Sequence, residues 1–112
     1  MNTGGPNTAI GDHALFTNTT GQSNTAIGNS ALYSNSTGQY NVAIGTGALL
    51  NNVSGNENIA IGGNALTNST TSSNNIAIGV NAGSDITDGQ NNVIIGSNTG
   101  DSIATLNNSS AS

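Results

Sequence analysis

Asn75-Ile76-Ala77-Ile78-Gly79 is the stretch whose reading decides the fold, because near-copies of it run through the whole chain. They are Asn7-Thr8-Ala9-Ile10-Gly11, Asn24-Thr25-Ala26-Ile27-Gly28, Asn41-Val42-Ala43-Ile44-Gly45, Asn58-Ile59-Ala60-Ile61-Gly62 and Asn92-Val93-Ile94-Ile95-Gly96. Each begins 17 residues after the one before, and the six align without a gap. Fixed-period self-similarity is the mark of a repeat architecture, in which each unit packs on its neighbours. Seventeen residues are too few for a helical hairpin, and so many Gly and Asn residues oppose helix. The period fits one turn of a parallel β-solenoid, an all-β fold. The expected organisation is a leader over 1–6, six coils over 7–108 starting at 7, 24, 41, 58, 75 and 92, and a polar tail over 109–112.

Two short strands and two turns per coil are expected. In the motif, the residue after Asn and the constant isoleucine (Ile10, Ile27, Ile44, Ile61, Ile78, Ile95) are two places apart, so they share one strand face. Their bulk assigns that face to the core and places the intervening alanine outside. The glycine that follows (Gly11, Gly28, Gly45, Gly62, Gly79, Gly96) supplies a corner. Ala14, Ala31, Ala48, Ala65 and Ala82 then open the second half, followed in the first four coils by Leu15, Leu32, Leu49 and Leu66. A second corner is signalled by Gly21, Gly38, Gly55 and Gly89 among Ser, Thr and Asn. The last two coils carry Gly83 and Gly100 in place of leucine, with Ile86 and Ile103 three residues further on, which predicts a change of cross-section near residue 80.

Composition narrows the functions open to such a chain. Only 33% of its 112 residues are hydrophobic and 3% aromatic, too few for an ordinary globular core, while 4% charged residues and one proline do not match the usual disordered segment. There is no Lys or Arg, and the formal charge is -5. Neutralising phosphates requires cations, so nucleic acid and anionic membrane surfaces are excluded as partners. No apolar run approaches the roughly 20 residues of a membrane span, so no membrane insertion is expected. Cysteine is absent, which removes disulfides and thiolate metal sites. Met1-Asn2-Thr3-Gly4-Gly5-Pro6 lacks the basic start and apolar stretch of a secretory signal, so an exported protein would present this as a mature or excised segment.

Catalysis requires a base, acid or nucleophile in a constellation. His13 is the sole histidine and occupies a corner column shared with Ser30, Gly47, Asn64, Asn81 and Asn98, which reads as a solvated turn. The many hydroxyls have no partner base, so no catalytic residue and no enzyme activity is expected. Asp85, Asp88 and Asp101 form the only acidic cluster, without the GGxGxDxUx pattern of calcium-binding rolls, and no metal or cofactor is assigned. Asn18, Asn35 and Asn52 begin N-x-S/T sequons in one column and Asn68 begins another one place earlier. They are candidate glycosylation sites in a source that modifies exported proteins, and equally ordinary turn residues. Ice binding by a flat threonine row is a minor alternative, set aside because the column Thr8, Thr25, Val42, Ile59, Ile76, Val93 reads as core.

The motif columns resemble the β-roll heads of YadA-like trimeric autotransporter adhesins, whose coils carry NSVAIGxxS. Asn74-Asn75-Ile76-Ala77-Ile78-Gly79 and Asn91-Asn92-Val93-Ile94-Ile95-Gly96 are the nearest copies, and the likeness extends over residues 7–106. The repeat also looks like those of phage and virus tail-fibre shafts. The resemblance implies a left-handed parallel β-roll, homotrimeric along a fibre, located outside the cell, on its surface or on a virion, and attaching to a host-surface protein or glycan. The leucine row and the alanine row are the surfaces such a trimer would bury. The alternative is a subunit of a self-assembling extracellular filament that stacks end to end, since both terminal coils present strand edges with no recognisable cap; Pro6 is placed to blunt the first.

Overall fold

In the computed structural model, residues 4–99 are described. Six three-residue strands, β1 (Thr8–Ile10), β2 (Thr25–Ile27), β3 (Val42–Ile44), β4 (Ile59–Ile61), β5 (Ile76–Ile78) and β6 (Val93–Ile95), form one parallel sheet in the order β1-β2-β3-β4-β5-β6. Every pairing is offset by one repeat, from Thr8 opposite Thr25 to Ile78 opposite Ile95. The chain is therefore a parallel β-solenoid whose register is the sequence period. Asp101 of the acidic cluster, Ile103, residues 1–3 of the leader and the polar tail lie outside the described residues.

The sidedness of the strands is the reverse of the expectation. Ala26, Ala43, Ala60 and Ala77 are fully buried and Ile94 nearly so, while the flanking columns point outwards. Ile10, Ile78 and Ile95 are exposed, and the middle isoleucines Ile27, Ile44 and Ile61 are half-buried. The opposite wall of the coil explains the inversion. It sends Leu32, Leu49 and Leu66 inward, together with Ala31, Ala48, Ala65 and Ala82, all fully buried. A flat coil whose one wall fills the interior with leucine leaves room for only a methyl group on the other. The leucine and alanine rows are thus the core, not surface rows awaiting a partner.

Among the described residues each coil also has one strand rather than two. The second half runs through consecutive turns: Ala31 N–H donates to Gly28 O at 3.2 Å and Asn35 N–H to Leu32 O at 3.2 Å, while Leu32 N–H reaches the next coil at Ala48 O, 3.0 Å. What bars a second strand is the backbone of the leucine column. Leu15, Leu32, Leu49 and Leu66 all hold φ of 52–53°, a left-handed conformation that costs a non-glycine residue roughly 1–2 kcal/mol. Burying a leucine contributes roughly 1.5–3 kcal/mol, which is enough to hold it there.

At the fifth coil that column switches to Gly83, where φ is 63° and a side chain is no longer needed. A Cβ at Gly83 would lie 3.1–3.5 Å from Leu66 Cδ2, Ile94 Cδ1 and Ile86 Cδ1, so the two isoleucines occupy the leucine's space. Ile86 and Ile94 are 2% and 4% exposed. The turn bond of this column persists, from Asn18 N–H to Leu15 O in the first coil to Ile86 N–H to Gly83 O in the fifth. The predicted change near residue 80 is therefore a repacking of side chains inside an unchanged backbone path. Gly45 shows why its own column admits no other residue: φ is 131°, and a Cβ would sit 2.7 Å from the Gly62 carbonyl of the next coil.

This packing separates inner from outer positions in a urea unfolding series. Ala43→Leu should destabilise by about 1–3 kcal/mol through overpacking and Leu49→Ala by about 2–5 kcal/mol through a cavity, whereas Thr25→Ala on the outer face should cost less than about 1 kcal/mol.

Candidate interaction surfaces

Two asparagine columns build the corners on which any surface depends. In the first, the backbone N–H of Asn24, Asn41, Asn58, Asn75 and Asn92 each donates to the Oδ1 of the asparagine one coil earlier, at 2.9–3.0 Å. Each Nδ2 of Asn24, Asn41 and Asn75 in turn donates to Gly38, Gly55 and Gly89 O, 14 residues on at the close of the same coil, at 2.8 Å. These asparagines are 0–1% exposed, so their bonds form away from water. The side chain thereby ties the close of its own coil to the start of the next, satisfying a backbone donor that the strand ladder leaves unpaired.

The second column is Asn18, Asn35 and Asn52, also 0–1% exposed. Asn35 Nδ2 donates to Asn18 Oδ1 at 2.7 Å and Asn52 Nδ2 to Asn35 Oδ1 at 2.9 Å. Each also donates to the glycine carbonyl three residues on, so that Gly38 O accepts from Asn35 at 3.1 Å and from Asn24 at 2.8 Å, filling both lone pairs. A Cβ at Gly38 would fall 2.4 Å from Asn35 Oδ1, which is why glycine stands there. Three of the four sequon asparagines are thus buried and bonded, and the folded chain offers no amide at Asn18, Asn35 or Asn52 for a sugar. Asn68 is exposed, with Nδ2 donating to Ser84 O at 2.7 Å. The recurring N-x-x-G spacing carried the signal for this second ladder, but the overlapping sequons obscured it.

Both ladders stop without a partner for the last acceptor. Asn52 and Asn92 Oδ1 are the buried side-chain atoms among the described residues that find no hydrogen bond, and each is the final rung of its column. After Asn52 the column continues as Ser69, which bonds Ser72 instead, and then as the apolar Ile86.

Outside this frame lie three surfaces. The broadest is the outer face of the sheet, two columns of Thr, Val and Ile with no charged residue. Six strands at about 4.8 Å spacing give it a height of about 29 Å. The second is a corner where His13, Phe16 and Tyr33 meet: the His13 and Phe16 rings are 4.7 Å apart edge to face, and Phe16 stacks on Tyr33 at 5.3 Å and 18°. His13 is exposed, with φ of 61°, and its Nδ1 lies 3.2 Å from an Asp12 oxygen. The third runs beside the strands. In the column immediately before the asparagines, Ser23, Tyr40, Glu57, Asn74 and Asn91 hold φ of 58–63° and donate their N–H to the preceding coil. Pro6 occupies that column in the first coil, and proline has neither the N–H nor access to positive φ.

Among the described residues no group of three or more His, Cys, Asp or Glu side chains is placed to hold a metal ion. No family model, curated protein or solved structure matches the chain.

The first ladder gives a prediction. Asn58→Ala removes its bonds to Ser72 O and Asn41 Oδ1 and strands Asn75 N–H; each buried group left unpaired costs about 1–3 kcal/mol. Asn58→Asp keeps the acceptor but loses the donor and buries a carboxylate, whose pKa must rise. Its stability deficit relative to the parent chain should therefore shrink as pH falls and grow as pH rises, which the deficit of Asn58→Ala should not do in paired thermal melts.

Proposed function

We propose that the chain is a structural module of an extracellular or virion fibre, a left-handed β-roll whose copies associate as a homotrimer through the outer face of the sheet, extending a scaffold for attachment. The observation that carries this reading is the uncharged double column of Val and Ile on that face. A sheet face buried in nothing is expected to alternate apolar inside with polar outside; here the outer positions are the bulkier apolar ones. Contiguous apolar patches of this kind mark interaction sites.

The dimensions favour a fibre over a compact oligomer. A strip about 29 Å tall and some 10 Å wide covers roughly 300 Å², well below the roughly 800 Å² per partner of a stable interface. Association through it gains strength with each added coil, as in a shaft. Hydroxyls occur in these outer columns only at Thr8 and Thr25, which favours protein contact over ordered water or ice as the use of the face. The end-to-end filament is the weaker reading, because Pro6 departs from the repeat at the edge where a preceding coil would dock.

Sedimentation equilibrium across a concentration series tests the proposal. A reversible trimer is expected, and Ile44→Lys on the outer face should return it to monomer with unchanged strand content by circular dichroism. A monomer at all concentrations, or an oligomer indifferent to Ile44→Lys, contradicts the reading; open-ended polymers favour the filament.

A further inference from the structure

The geometry points to the Asp12–His13–Phe16–Tyr33 corner as a binding site for a neutral saccharide ring. The inference rests on the attachment reading only for the idea that the module has a ligand at all; the site stands on its own geometry. Among the four ring-bearing side chains of the sequence, one Phe, two Tyr and one His with no Trp, three are gathered in this corner. The fold does not require them there. Phe16 and Tyr33 share a column with Leu50, Thr67 and Ser84, and the later coils close equally well. Although Tyr33 covers one face of Phe16 and His13 meets its edge, Phe16 remains 58% exposed. Leaving an aromatic side chain in water at a position that accepts Thr or Ser is a cost that a ligand would offset.

The surroundings specify the chemistry. Asp12, whose side chain is 75% exposed, has one oxygen 3.2 Å from His13 Nδ1 and further lone pairs that can accept from a ligand; no Lys or Arg exists in the chain to compete for them. One coil on, Asn29 and Ser30 stand in the columns of Asp12 and His13, and Ser30 Oγ lies 3.0 Å from Asn29 Oδ1. A hydrophobic ring face bordered by carboxylate, amide and hydroxyl groups matches a pyranose, which has an apolar C–H face and a rim of hydroxyl donors. The same carboxylate and the absence of cations disfavour acidic or sulfated sugars.

The test titrates the intact protein with glucose, galactose, mannose and N-acetylglucosamine, and with sialic acid as the anionic control, following the ring resonances of Phe16, Tyr33, His13 and Tyr40 by NMR. At least one neutral sugar is expected to give saturable shifts at Phe16 and Tyr33 and none at the distant Tyr40, with sialic acid inert. Phe16→Leu places in the column the residue type already present at Leu50, so it keeps the fold, and it should weaken binding about tenfold or more. No saturable shift with any neutral sugar, equal shifts at Tyr40, or undiminished binding by Phe16→Leu would overturn the assignment. The oligomeric mass of the same sample reports separately on the fibre proposal.

Discussion

The bond from an asparagine backbone N–H to the Oδ1 of the asparagine one coil earlier is the contact on which the rest of the structure depends. Strands of three residues make few ladder bonds, and a coil of 17 residues spends most of its length in turns that need other partners. The carboxamide answers this because it accepts and donates at once, and its reach equals the spacing between coils. It fixes register as well as energy: shifting one coil by a residue would strand the buried N–H, Oδ1 and Nδ2 together. Gly38 and Gly55 carbonyls, each held by two asparagines from different columns, tie the strand corner to the turn corner.

Because polar ladders define the path, the core can be thin and tolerant. Leucine enters from left-handed turns against alanine from the sheet, and when the leucine is lost at Gly83, Ile86 and Ile94 refill the same volume with the backbone bonds in place. The ladder at Asn18, Asn35 and Asn52 gives way from one coil earlier, first to a serine pair beside the intact Leu66 and then to Ile86. The module therefore exchanges polar for apolar content in one corner along its length. The outer surface is correspondingly free to vary, with aromatic rings at one end of a column and Thr and Ser further along it.

Much of this was legible in the sequence, for identifiable reasons. A gapless period fixes strand positions and parallel register, since equal coils must stack residue on residue, and all six strands fall on the repeated motif. Sidedness was not legible. Alternation at Thr25-Ala26-Ile27 says that two faces differ, but which one is inside depends on how much volume the opposite wall supplies, and that is set by left-handed leucines no propensity argument would place there. The same uncertainty hid the outer face, whose Ile and Val had been assigned to the core. The Asn18 column is visible as a pattern that fits either sequons or ordinary turn residues, because burial of an amide shows only when the neighbouring coil is in place. The aromatic corner needs two residues 17 apart to be seen as neighbours, which the period supplies, and a third, His13, whose turn geometry it does not.

Amide hydrogen exchange at Asn24, Asn41, Asn58, Asn75 and Asn92 tests the central claim most directly, since these N–H groups are bonded to side-chain oxygens rather than to a backbone ladder. The account predicts that the interior members, Asn41, Asn58 and Asn75, exchange as slowly as the strand amides around them, and that Asn58→Ala releases Asn75 first. Exchange of these amides at the rate of exposed turns, beside protected strands, would contradict it.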